Sequence, residues 1–235
     1  MAALADYLPL LLRGAVVTVQ ISVLSYLLAL TLGMLGALAR VRKAGRVAKV
    51  IVFVYTTLAR GIPDIVLILL VYAGGQLLVN AMARLAGLNH GVLSAFWAGV
   101  LAVGLIYGAY LVETFRGALL GVPRGQFEAA RALGLGQGKA FFLVVLPQAA
   151  RRALPACKTS WQALMTSCAM VSVIGVDDVV NSAVDAGIST GQPTLFLGAA
   201  LAFFLGMTWV SGIGFGQLSR RFARRGGSAV RSDRR

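Results

Sequence analysis

Five stretches of this chain are apolar for long enough to cross a bilayer as helices, at about residues 10–39, 47–83, 93–115, 154–180 and 194–218. A helix needs about 20 such residues to span the hydrocarbon layer. No water-soluble fold can hide five of them, so the expected class is an all-α integral membrane protein with five transmembrane helices. Composition agrees: 58% of the residues are hydrophobic, 13% are charged, and the mean hydropathy is +0.82. These values lie outside the range of soluble domains.

The net charge of +14 would suggest nucleic acid if the basic residues were spread over one surface. They are not. Nineteen of the 22 Lys and Arg fall in three places: the loop with Arg40, Arg42, Lys43, Arg46 and Lys49, the stretch from Arg116 to Lys158, and the tail from Arg220 onward. Under the positive-inside rule these three places share the cytoplasmic side, which predicts a periplasmic N-terminus and a cytoplasmic C-terminus. The same asymmetry removes the nucleic-acid reading. The N-terminus has Asp6 and no Lys or Arg before its apolar run, so the first segment is expected to be retained and not cleaved as a signal peptide. One transmembrane domain over 1–222 is expected, with a cytoplasmic loop at 117–152. A basic cytoplasmic tail at 223–235 is expected to be disordered and to contact lipid headgroups.

Charges inside the apolar runs carry the functional expectations, because a charge in hydrocarbon is costly. Arg60 and Asp64 flank Gly61-Ile62-Pro63 in the second run, which is too long for one straight crossing. Pro63 removes a backbone donor, so a kink is expected there. Arg60 would lie about 20 Å up from a cytoplasmic start near Val47. A broken helix at that depth is where many transporters hold substrate, so Arg60, Gly61, Ile62, Pro63 and Asp64 are candidate substrate-binding residues. The alternative is an Arg60–Asp64 pair that neutralises itself. Asp177 and Asp178, expected at the outer end of the fourth run, would give a negative mouth that attracts cationic substrates. They are equally suited to cap a loop helix beginning at Val179. Glu113 and Arg116, three residues apart, are expected to form a local pair or a cytoplasmic gate contact.

Several chemistries are excluded. Lys139 follows Gly138, but Ala140 and Leu133 stand where a phosphate-binding loop needs Ser or Thr and a glycine. The only histidine is His90, which leaves no His-based triad and no metal-ligand cluster. Cys157 and Cys168 would lie about 16 Å apart along one helix, too far for a disulfide. The chain is expected to be no enzyme and to hold no cofactor or metal.

The polar island from Glu128 to Ala149 is predicted to form two short helices joined at Gly134, Gly136 and Gly138, the second closed by Pro147. Glu128-Ala129-Ala130, then Gly134, then Val144-Val145-Leu146-Pro147 resembles the EAA signature of ATP-binding-cassette importer permeases. TTLARGIPDIVLILLVY, IYGAYLVETFRGALLGVPRGQFEAA and LPACKTSWQAL are similar to segments of its polar amino acid group, including subunits of histidine and lysine-arginine-ornithine uptake systems. The resemblance runs from about Thr18 to Phe222. It implies a type I importer permease fold in a bacterial inner membrane, with cytoplasmic coupling helices. It also implies partners: an identical or related permease subunit, two ATP-binding subunits that hold ATP and Mg, and a periplasmic binding protein. Glu128, Ala129, Ala130, Gly134, Leu146 and Pro147 would couple this chain to the ATPase. The implied substrate is a polar, basic amino acid such as histidine, arginine, lysine or ornithine. Acidic or neutral polar amino acids or opines are the runner-up, and an ion-coupled secondary transporter is the alternative from another class.

Overall fold

Helix α4 (Ala95–Leu120) is the axis of the bundle. Its sequence is rich in Ala, Gly and Val, which lets neighbouring helices approach closely where no water drives them together. Ala98, Ala102, Val103, Ala109, Leu111 and Val112 are fully or almost fully buried. The computed structural model describes residues 2–41, 45–86 and 90–227, and side chains within 4–41, 45–86 and 90–221. Every regular element among them is helical.

The longest helix, α1 (Ala2–Val41), lies against α4. A Cβ on Gly104 would come within 2.6 Å of Leu28 and one on Gly108 within 3.1 Å of Leu32, so a side chain at either would have to push α1 residues aside. The pair Gly212 and Gly216, with the same spacing, meets nothing. The buried hydroxyls of α1 find acceptors within the protein, as a bilayer demands. Thr18 donates to the Gly14 carbonyl at 3.0 Å and Ser22 to the Thr18 carbonyl at 2.8 Å, while Ser25 donates across to the Val100 carbonyl at 3.2 Å.

The second apolar run is two helices, α2 (Arg46–Gly61) and α3 (Asp64–Leu85). Pro63 forces the residue before it out of the helical region, and Ile62 is extended at φ −107°, ψ 138°. The expected kink is therefore a complete break. Helix α3 alone is long enough to cross. It is little buried within the chain: Leu77 and Leu78 are about 70% exposed. Gln76 and Asn80 hold the following loop, Gln76 accepting from the Leu93 amide at 2.8 Å and donating to the Gly91 carbonyl at 2.6 Å.

The fourth run differs more from expectation. After α4 come α5 (Arg124–Ala132) and α6 (Gln137–Ala140). A single π turn (141–145) then leads into α7 (Leu146–Cys168). Pro147 does not close this helix. The wide turn, in which the Leu146 amide donates to the Phe141 carbonyl, accommodates the proline ring and its missing donor, and the helix runs on well before position 154. A 3₁₀ segment (169–174) follows, ending at Gly175 with φ +82°. The chain then bends by 55° into α8 (Val179–Thr190). The last helix is α9 (Pro193–Gly227). It reaches five residues into the expected tail, whose remainder at 228–235 lies outside the described residues, as do Arg42 and Lys43. Four helices (α1, α3, α4 and α9) are long and apolar enough to cross, and the bent α7–α8 pair makes a fifth if it counts as one span. Cys157 and Cys168 are both buried and free, and His90 is exposed.

Candidate functional site at the helix break and the elbow

Asp64 lies in the first turn of α3, half-buried, at the helix end whose dipole favours a carboxylate. One carboxylate oxygen accepts from the Ser167 hydroxyl at 2.8 Å. Ser167 is buried near the end of α7, and its oxygen is also 2.8 Å from the Tyr107 hydroxyl on α4. An ionised Asp64 only accepts, so Ser167 donates its single proton there and Tyr107 must donate to Ser167. The order Tyr107, Ser167, Asp64 is a directed chain that pulls three helices together. The second oxygen of Asp64 has no protein partner among the described residues.

Arg60 does not pair with Asp64. The Ile62-Pro63 break destroys the helical register that would bring residues four apart face to face. Its guanidinium lies instead 5.4 Å from the centre of the Tyr110 ring. A cation over a π face is stabilised without an acidic partner. Below it, Glu113 is the hub of a charge cluster: Arg116 donates to it at 2.8 Å and Arg40, from the end of α1, donates to its other oxygen. The expected Glu113–Arg116 pair is present and Arg40 is added to it. Gly61 and Pro63 are exposed and Ile62 is half-buried.

Asp177 and Asp178 part company. Asp178 is buried, 1% exposed, and caps α8 by accepting from the Asn181 amide at 2.8 Å. The Ser172 hydroxyl lies 2.7 and 2.8 Å from its two oxygens. The capping alternative holds for this residue. Asp177 and Asp185 are exposed, and Asp177 accepts from the Asn181 side chain at 3.3 Å.

The elbow is α5, Gly134 and α6. Gly134 has φ +84°, a left-handed conformation that favours glycine. The Gly134 amide donates to the Arg131 carbonyl at 3.0 Å and the Leu135 amide to the Ala130 carbonyl at 3.1 Å, a Schellman end for α5. Glu128 and Ala129 are exposed and Ala130 is buried. Leu146 is half-buried and Pro147 is exposed. One side-chain contact fastens the elbow to α7, Gln148 donating to the Gln126 side chain at 3.3 Å, and just before the elbow Arg152 of α7 donates to the Gly121 carbonyl at the end of α4. A cavity of about 870 Å³ separates Glu128 and Gln137 from Leu119 and Val122 of the bundle.

The residues that sequence reasoning missed are Arg40, Tyr107, Tyr110 and Ser167. Each is a partner of a residue that it found. A signal existed for the tyrosines: two phenol rings three residues apart in an otherwise aliphatic run. Ser167 offered none, since small hydroxyls are common in membrane helices.

The model of a protein family described as binding-protein-dependent transport system inner membrane components matches residues 29–224. The chain is 38% identical over 213 residues to the histidine/lysine/arginine/ornithine transport system permease protein HisQ of Salmonella typhimurium, covering 91% of this chain and 93% of HisQ. It is also 38% identical over 220 residues to the arginine ABC transporter permease protein ArtQ of Haemophilus influenzae, covering 94% and 96%. A crystal structure of an amino acid ABC transporter with histidines superposes with a TM-score of 0.72 at 28% identity, covering 95% of this chain and 97% of that one.

Proposed function

The chain belongs to the family of binding-protein-dependent transport system inner membrane components, and from that membership we propose that it is the permease subunit of an ATP-driven importer for a basic amino acid. The observation that carries the proposal is the elbow. It presents Glu128 and Ala129 outward and is fastened back to α7 through Gln126 and Gln148. A chain without a phosphate loop has no engine of its own, and this element is shaped to receive force from one. Glu128 makes the ionic contact with a basic residue of the ATPase, Ala129 lets the two surfaces approach, and Gly134 sets the turn. Leu146 and Pro147, at the π turn, pass the movement into α7.

The substrate class rests on the relatives' names and on Asp64. HisQ and ArtQ are named for histidine, lysine, arginine and ornithine transport. The unpartnered oxygen of Asp64 can take the cationic side chain of such an amino acid. Arg60 and the exposed Gly61-Ile62-Pro63 backbone complete the site, and Asp177 adds negative charge toward the outer end. The basic residues point to the cytoplasmic face for the elbow and the C-terminus, with the N-terminus in the periplasm, five crossings and an inner-membrane location. The working assembly has a second permease subunit, two ATP-binding subunits that carry ATP and Mg, and a periplasmic binding protein.

Glu128→Lys tests the proposal. It should insert normally and lose both copurification with the ATP-binding subunits and most uptake. Unchanged uptake in that variant would contradict the coupling role.

A further inference from the structure

Arg60 and Arg40 open onto one cleft of about 440 Å³, and Thr56, Thr57, Tyr110 and Glu113 line the rest of it. The residues of α2 that line it, Phe53, Thr56, Thr57 and Arg60, form a single helix face. The cleft therefore runs along α2 from the cytoplasmic end of α1 up to Gly61, the last residue before the break. Its charge is unbalanced. Arg40 and Arg116 both bind the Glu113 carboxylate, and Arg60 stands close enough for its field to act on Glu113 while forming no ion pair among the described residues. Three guanidinium groups thus face one carboxylate in a membrane-spanning region, where uncompensated charge is costly. Two of the three are held in place by rings, Arg40 over Phe53 at 5.7 Å and Arg60 over Tyr110 at 5.4 Å. The Thr57 and Tyr110 hydroxyls add neutral donors, while the Thr56 hydroxyl is taken by the Phe53 carbonyl. Such a site is complementary to an oxyanion.

We propose that this cleft binds the α-carboxylate of the transported amino acid, with Arg60 as its principal ligand and Arg40 completing the positive field. This rests on the reading of Asp64 as the site of the substrate cation. The Tyr107 and Tyr110 rings, 5.7 Å apart, join the two ends: Tyr107 starts the chain to Asp64, and Tyr110 carries Arg60. An amino acid with a cationic side chain then meets opposite charges on the two sides of the break. The carboxylate end lies toward the cytoplasm, on the way out. A phospholipid phosphate has the same oxyanion chemistry, and the test separates the two sources.

The complete purified transporter is placed in discs of phosphatidylcholine alone, or with phosphatidylglycerol added, and binding of L-arginine and of agmatine is measured. Agmatine is arginine without its carboxylate. The wild type should bind L-arginine at least about tenfold tighter than agmatine, as one charge-assisted hydrogen bond provides. Arg60→Gln should bring L-arginine to the agmatine level and leave agmatine unchanged, and Arg60→Lys should recover part of the preference. These results should not depend on the lipid. Equal loss of both ligands in Arg60→Gln and Arg60→Lys makes Arg60 structural and overturns the proposal. So does an effect confined to phosphatidylglycerol discs, which assigns the cleft to lipid, or a wild type with no preference. Asp64→Asn should weaken both ligands alike. If it changes neither while Arg60→Gln still abolishes the preference, the Asp64 reading fails and the carboxylate site stands.

Discussion

The chain breaks an apolar run twice, and each break places an aspartate at the start of the next helix. The two aspartates have opposite fates. Asp178 is buried and its carboxylate is consumed by its own neighbourhood, the Ser172 hydroxyl and the Asn181 amide. Asp64 is half-buried, caps nothing, and has one donor, Ser167, on one oxygen. The glycines differ in the same way. Gly175 is in the left-handed region at φ +82°, so the backbone there requires glycine. Gly61 is not, and a Cβ on it would meet nothing. One break is built to hold a bend. The other is held open by a proline and keeps a charge in reserve. An acidic residue in a membrane helix is thus not evidence of a substrate site until its hydrogen bonds are counted.

The largest effect that sharpens this contrast should come from Asp178→Ala. It leaves the Asn181 amide without its acceptor and the Ser172 hydroxyl with only the Ala169 carbonyl, at a cost of about 2 kcal/mol. The purified transporter should melt at a lower temperature and its expression should fall. Asp64→Asn should do the reverse: uptake of arginine drops roughly tenfold, consistent with one lost charge-assisted contact, while the melting temperature barely moves. If arginine and glutamine uptake fall equally in that variant, Asp64 does not meet the side-chain cation. Gly175→Ala should destabilise by about 1 kcal/mol through backbone strain alone. Gly61→Ala should leave thermal stability unchanged or slightly raised. The smallest effect is expected for Ser167→Ala, which removes one donor from Asp64 and should lower arginine affinity by only a few-fold. A melting change in Ser167→Ala larger than in Asp178→Ala would reverse the contrast.

The parts of the fold that local chemistry dictates were legible in the sequence. Apolar runs of membrane length needed only counting, and the elbow announced itself by Gly134 and a polar composition. The break at Pro63 followed from proline geometry. Helix ends set by compensation were not legible. Pro147 looked like a terminator because the π turn that absorbs it leaves no mark in composition. The helix from Val179 was one of two open readings, but the 55° bend that brings Gly14 and Thr18 of α1 against Asp178 and Val179 left no mark in the sequence. The site was half legible. Arg60, Asp64 and Glu113 stood out as charges among apolar residues. Their partners did not, because Ser167 is 103 positions from Asp64 and Arg40 is 73 from Glu113. Only packing reveals such pairs.

On the proposed mechanism, this permease moves its substrate with energy delivered through the elbow by an external ATPase. Uptake of radiolabelled arginine into vesicles containing the complete transporter and its binding protein, with and without ATP, tests it directly. Uptake should require ATP and the ATP-binding subunits, and Glu128→Lys should abolish most of it. Uptake that persists without ATP and without those subunits would contradict the claim and favour an ion-coupled carrier.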